Sequence, residues 1–238
     1  MAAPGPVEDG APSREPTKGW LKRHGWRVLL VFVGVLLPMW AFGELADEVV
    51  EREPFPFDEP LLRAARDVAS ARLDAFFVWA SRLGYEYGLV PFDIGLVLVL
   101  AWLRRRRETL FAVVALGGSA LLNMGTKALF ARDRPSLWES IAPEETFSFP
   151  SGHAMGTATL AWVLVLLSWR TRWRWPVLVM AVAGMLVVGA SRVYLGVHYP
   201  SDILAGWAAA SIWTAACFLL LYGLHRHPWG DDRRGQGH

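Results

Sequence analysis

Six stretches of helix length carry almost no charge, and they restrict what this chain can become more than any other feature. They cover residues 28–43, 88–103, 109–126, 154–167, 176–190 and 200–222. A segment of this kind, with its flanks, matches the roughly 20 apolar residues that cross a hydrocarbon core about 30 Å thick. Backbone groups in that core can be satisfied only within a helix or a closed barrel. With 53% hydrophobic residues and thirteen tryptophans in 238, the chain is too apolar for an ordinary soluble domain. The expected fold is all-α: an integral membrane bundle of six transmembrane helices, with an amphipathic helix outside it.

Charge between the stretches sets the orientation. Arg104–Arg107 follows the second stretch, and Arg170, Arg172 and Arg174, interleaved with Trp169, Trp173 and Trp175, follow the fourth. Lys18, Lys22, Arg23 and Arg27 precede the first. Basic connections stay in the cytoplasm, so both termini are expected inside a multi-pass protein of the cell membrane. Residues 1–25 read as a disordered cytoplasmic N-terminus, 26–224 as the membrane domain and 225–238 as a cytoplasmic tail. Pro, Gly, Ala and charge without apolar periodicity mark the first of these. Ala41 and Gly43 resemble a cleavage site, but the helix-length apolar core before them favours a retained anchor.

Segments 47–86, 127–150 and 191–200 then face outward. In the first, Leu61, Leu62, Ala65, Val68, Ala69, Leu73, Phe76, Phe77 and Ala80 recur at helical spacing, with Arg63, Arg66, Asp67 and Arg72 opposite. That pattern predicts one amphipathic helix lying at the interface. Asp93 sits near the start of the second stretch; it reads either as a hydrated interfacial group or as an intramembrane functional one, the former preferred. The single cysteine, Cys217, excludes an internal disulfide or a cysteine metal site and reads as a small core or lipid-facing residue. His225, His227, Asp231 and Asp232 lack rigid spacing and read as a solvated tail. Nothing indicates nucleic acid, an obligate protein partner, a cofactor or a metal.

Three polar clusters fall at the outward ends of the stretches. They are Lys127-x6-Arg134-Pro135, Pro150-Ser151-Gly152-His153 and Ser191-Arg192-x5-His198-x3-Asp202. Each alone has a plain structural reading, such as a snorkelling cation or an ordinary helix cap. Ser151 is a natural N-cap, and the free amides of Gly152, His153 and Ala154 at a helix start suit an anion. Their common sidedness makes the three clusters one candidate site.

In this order the clusters resemble the three signature motifs of the type 2 phosphatidic acid phosphatase (PAP2) superfamily, and all eleven specified residues match. The likeness spans roughly residues 60–222 and points to the membrane lipid phosphatase branch. It implies His198 as the nucleophile forming a phosphohistidine, Asp202 as its orienting carboxylate, and His153 as general acid and then base for water. Lys127, Arg134, Arg192, Ser151 and Gly152 are implied as the phosphate cradle. The family works without a divalent ion.

The residue types suit that chemistry. A transferring phosphoryl group spreads negative charge over its oxygens and needs several fixed cations and amides. Two arginines offer paired donors and a lysine a point charge. Two imidazoles allow one to attack while the other protonates the leaving oxygen. Pro200 turns the chain into a helix, from whose first turn Asp202 can reach back to His198. The expected function is hydrolysis of a lipid phosphate or diphosphate on the outer face, with undecaprenyl diphosphate, phosphatidic acid and phosphatidylglycerol phosphate as substrates in that order. A lipid phosphotransferase and a non-catalytic lipid-binding or transport bundle are the alternatives.

Overall fold

The structure, a computed structural model, describes Gly25, residues 28–223 and residues 227–229. The expected N-terminal disorder, its basic flank and most of the polar tail lie outside the described residues. The helices among them are α1 Val28–Glu51, α2 Asp58–Asp67, α3 Ala71–Leu83, α4 Leu89–Trp102, α5 Arg106–Phe130, α6 Gly152–Ser168, α7 Arg174–Tyr194 and α8 Pro200–Tyr222. No strand occurs among the described residues. Four helices, α1, α5, α7 and α8, are long and apolar enough to cross a membrane. The shorter α4 and α6 are apolar as well. Each expected stretch is thus a helix, though α1, α5 and α7 run several residues further than their apolar cores.

Packing centres on α6, which lies against α5, α7 and α8, while α1 covers the far side of α8. Where α5 begins and α8 ends, Phe111, Phe218 and Tyr222 meet through ring contacts of 4.8–5.9 Å over Ala112, Ala115, Val163 and Leu166. Cys217 is buried in this cluster. Large apolar side chains such as Trp102, Leu121, Leu129 and Leu220 point outward, as lipid contact demands and water would penalise. Gly206 brings α8 against the start of α6: a Cβ there would stand 2.9 Å from the Ser151 carbonyl oxygen.

The segment expected as one amphipathic helix is two. Ser70 is fully extended (φ −155°, ψ 155°) and its hydroxyl accepts from the Leu73 amide at 3.4 Å, which starts α3. A serine competes for its own backbone in this way and favours a cap over a helix interior. The two pieces pack on the bundle, α2 against α7 and α8, and α3 against α7. The Tyr194 hydroxyl, donating to Asp74 at 2.7 Å, ties α3 to α7.

Candidate active site

The end of α5, the start of α6, the end of α7 and the start of α8 converge, and local backbone geometry explains the motif spacings. After Tyr194 the chain turns through Gly196 at φ +69°, a conformation glycine adopts without strain. The amides of Val197 and His198 then return to the Arg192 carbonyl at 3.2 and 3.4 Å. The five residues between Arg192 and His198 are therefore one helix end and its reversal. Pro200 opens α8, and Asp202 in the first turn accepts the Tyr199 amide at 2.9 Å. The same oxygen, Oδ2, lies 3.3 Å from His198 Nδ1, the reach expected from Pro200.

His198 is fully buried. Its Nε2 is 3.1 Å from Arg134 Nη1. A guanidinium only donates, so Nε2 is the accepting nitrogen and the ring proton sits on Nδ1, facing Asp202. Burial first, and then the charges of Arg134 and Arg192, hold the imidazole pKa well below its ordinary value. The ring is neutral, with a lone pair directed away from Asp202.

The cations come from three elements. Lys127, near the end of α5, donates to Thr146 Oγ1 at 2.8 Å. Arg134, in the following loop, is pinned by the carbonyls of Thr146 at 2.6 Å and Val197 at 2.7 Å. Arg192 is buried; Nη1 donates to Ser81 of α3 and Nη2 to Glu144, while Nε has no acceptor among the described residues. Ser151 caps α6, accepting from the Ala154 amide at 3.4 Å, and its own amide donates to the Asp202 carbonyl at 3.1 Å. Gly152 and His153 follow in the first turn, where amides have no intrahelical acceptor. The His153 ring lies 5.0 Å from the Tyr85 ring. All eight predicted site residues lie at this one rim.

Three participants escape the motifs. Glu144, in the loop after Arg134, is bonded by Arg192 and lies 2.7 Å from Arg134 Nη2. Its Oε2 stands 3.8 Å from His198 Nε2 and its Oε1 3.8 Å from His153 Nδ1. Burial works to raise the Glu144 pKa, but the charges of Arg192, Arg134 and Lys127 outweigh it and hold the carboxyl below its ordinary range. A carboxylate thus lies between two imidazoles and two guanidiniums. Arg132 and Asp58 are the other two, joined to Asp202 from behind. A rim rich in cations with a single motif carboxylate is the one sequence signal that a further counter-charge is needed, and it does not say which residue supplies it.

Asp93 lines a small cavity of about 140 Å³ below Gly152, together with Ser119, Asn123 and Thr159. Its Oδ1 has no hydrogen-bond partner among the described residues. No group of three or more His, Cys, Asp or Glu side chains gathers as metal ligands among those residues.

Comparison with known proteins agrees with the geometry. The family model of the PAP2 superfamily matches residues 108–226, half of the chain. An undecaprenyl-diphosphatase of Sulfolobus acidocaldarius is 28% identical over 195 residues, covering 80% of this chain and 87% of that one. Phosphatidylglycerophosphatase B of Bacillus subtilis is 31% identical over 156 residues, covering 63% and 76%. The crystal structure of a transmembrane PAP2-type phosphatidylglycerolphosphate phosphatase from Bacillus subtilis superposes with a TM-score of 0.66 at 26% identity, covering 78% of this chain and 94% of that one. Motifs, fold and relatives converge, and the chain belongs to the PAP2 superfamily.

Proposed function

We propose that the protein is a six-span membrane phosphatase that hydrolyses a lipid phosphate or diphosphate at the extracytoplasmic rim, through a phosphohistidine on His198. The observation that carries this reading is the position of the Glu144 carboxylate, 3.8 Å from both His198 Nε2 and His153 Nδ1. A phosphoryl group exchanged for it meets the nucleophile on one side and the proton donor on the other, with Arg134 and Arg192 on its oxygens. In the first step His198 Nε2 bonds to phosphorus while the bond to the lipid oxygen breaks, and His153 delivers a proton to that oxygen. In the second, His153 takes a proton from water, the water oxygen bonds to phosphorus, and the P–N bond breaks to release phosphate. Asp202, on Nδ1, keeps the attacking tautomer and stabilises the positive charge the ring acquires.

A lipid substrate is favoured by an apolar groove of about 670 Å³ between α3, α4, α6 and α7, lined by Trp79, Leu83, Leu89, Thr157, Leu160 and Met180 among others. Thr157 donates to the His153 carbonyl at 2.7 Å, so the groove opens one helical turn below the acid. An acyl or prenyl tail lies there while the headgroup enters the cradle, and α3, from the segment read as amphipathic, forms one wall. At 1.5 Å per residue α4 and α6 reach only about 21 and 26 Å, and cross with the help of their flanking segments. The substrate order stays undecaprenyl diphosphate, phosphatidic acid and phosphatidylglycerol phosphate, and the names of the relatives support the first and the third as candidates. Inorganic phosphate release from these three lipids, by wild type, His198→Ala and His153→Ala, tests the reading. Activity retained in both variants overturns it, and phosphate recovered on a second lipid rather than in solution identifies a transferase.

A further inference from the structure

Behind the His198–Asp202 pair lies a chain of buried charges that the three motifs leave out. Arg132 occupies an open position of the first motif, two residues before Arg134. Its Nη1 donates to Asp202 Oδ1 at 2.6 Å and to Ser201 Oγ at 2.8 Å, and its Nη2 donates to Asp58 Oδ2 at 3.0 Å. Asp58, the first residue of α2, is itself buried. Its Oδ1 accepts the Ser201 amide at 2.9 Å and its Oδ2 the Ser201 hydroxyl at 2.5 Å. The guanidinium also lies 4.2 Å from the Tyr199 ring centroid and 5.4 Å from that of Phe55.

Every side-chain hydrogen bond of Arg132 among the described residues therefore goes to the first turn of α8 or to Asp58. The Glu144 position, where phosphate is expected, is held by Arg134 and Arg192 instead. Arg132 is thus no part of the cradle. What it does is occupy Asp202 Oδ1, so that Oδ2 faces His198 and the Tyr199 amide. Without it, Asp58 and Asp202 would face each other across Ser201 as two buried carboxylates with no counter-charge, an arrangement that a low-dielectric interior strongly penalises. Asp58 in turn fixes Arg132 and caps the start of α8 from a helix that lies before the region matched by the family model.

We infer that Arg132, held by Asp58, is a positioning residue for the nucleophile: the Asp58–Arg132–Asp202 chain aims the Asp202 carboxylate at His198 and so fixes the attacking tautomer. The inference rests on His198 being the nucleophile. It also gives the pre-motif segment a function beyond covering the bundle.

The test compares Arg132→Gln, Arg132→Lys, Asp58→Asn, the Arg132→Gln/Asp58→Asn double variant and His198→Ala on the purified full-length protein. Each is assayed for kcat, KM, inhibition by inorganic phosphate and thermal unfolding. Removing a partner that orients a reactive group lowers activity on the order of 10–100-fold. That loss is expected in kcat for Arg132→Gln, with KM and the phosphate inhibition constant changed less than about 3-fold because the cradle is untouched. Asp58→Asn is expected to lose about 10-fold in kcat, and the double variant to be no worse than Arg132→Gln alone, since residues acting as one unit are not additive. Arg132→Lys, which keeps the charge, is expected to recover part of the loss.

A folded Arg132→Gln enzyme with kcat within about 3-fold of wild type overturns the proposal, as does a loss confined to KM or to phosphate inhibition, which would place Arg132 in the cradle. Should Arg132→Gln fail to fold, Asp58→Asn decides, with the same kcat criterion. Activity in His198→Ala would instead sink the nucleophile assignment itself, an outcome distinct from an inactive His198→Ala beside a fully active Arg132→Gln.

Discussion

The two histidines sit in unlike surroundings. His198 is wholly enclosed; one ring nitrogen faces Asp202 at 3.3 Å and the other Arg134 at 3.1 Å. The His153 side chain is 16% exposed, lies beside the Tyr85 ring at a tilt and makes no side-chain hydrogen bond among the described residues, with Glu144 at 3.8 Å its nearest charged partner. The difference suits the roles proposed for them. A nucleophile gains from being fixed in line with phosphorus before the substrate arrives, because orientation is part of the barrier it lowers. A proton carrier serves two partners in turn, the departing lipid oxygen and the incoming water, and needs access to both.

The largest expected effect breaks the pair apart. His198→Ala is expected to abolish phosphate release and leave no phosphoenzyme. His153→Ala is expected to lose about 10²–10⁴-fold on lipid substrates, the range for removal of a general acid–base. With p-nitrophenyl phosphate, whose leaving group needs no proton, His153→Ala should still give a burst of p-nitrophenol matching the enzyme concentration. The enzyme should then stall as phosphohistidine, because the base for water is gone. Quenched-flow with acid-labile phosphate analysis reads this directly. A burst in His198→Ala would reverse the assignment of the two rings.

A smaller effect concerns the group that joins the two halves. Glu144 points Oε2 at His198 and Oε1 at His153 while bonded to both guanidiniums, so it competes with any incoming phosphate. Glu144→Gln, shape-conserving and neutral, is expected to tighten inhibition by inorganic phosphate about 10-fold, the outcome of removing one charge-assisted competitor worth roughly 1.4 kcal/mol. Unchanged phosphate inhibition together with a large loss in kcat would show that Glu144 orients the reaction rather than blocking the site.

The unequal surroundings also explain what the sequence made legible. Apolar runs of helix length gave the bundle, because burial in lipid constrains composition along a whole segment and leaves a pattern to read. His198 and Asp202 could be paired in advance because Pro200 and a three-residue gap fix their relation within one turn. Glu144, Arg132 and Asp58 were invisible: a lone charge in a Pro-rich or acidic loop looks the same whether it is solvated or folded back onto the site. Only the three-dimensional meeting of α2, the 131–150 loop and α8 distinguishes the two. The break of the expected amphipathic helix at Ser70 belongs with these, since its apolar spacing continues across the cap and hides it.

The smallest expected effect is on stability, and it separates the enclosed ring from everything else. An imidazole in an unfolded chain takes up a proton near pH 6.5. Folded His198 resists, because burial first and then Arg134 and Arg192 hold its pKa well below that value. Above about pH 6.5 neither state is protonated at this position, and the group adds no pH dependence. As the pH falls through that value the unfolded chain gains a proton that the folded chain refuses, and stability falls by up to about 1.4 kcal/mol per pH unit until the depressed folded-state value is reached. The melting temperature of wild type is therefore expected to drop between pH 7 and 5 more steeply than that of His198→Gln, which cannot titrate. Other groups contribute equally to both proteins, so the difference in slope isolates His198. Parallel slopes would mean that the ring is not held neutral by its enclosure, and the contrast between a sealed nucleophile and an open proton carrier would fail with it.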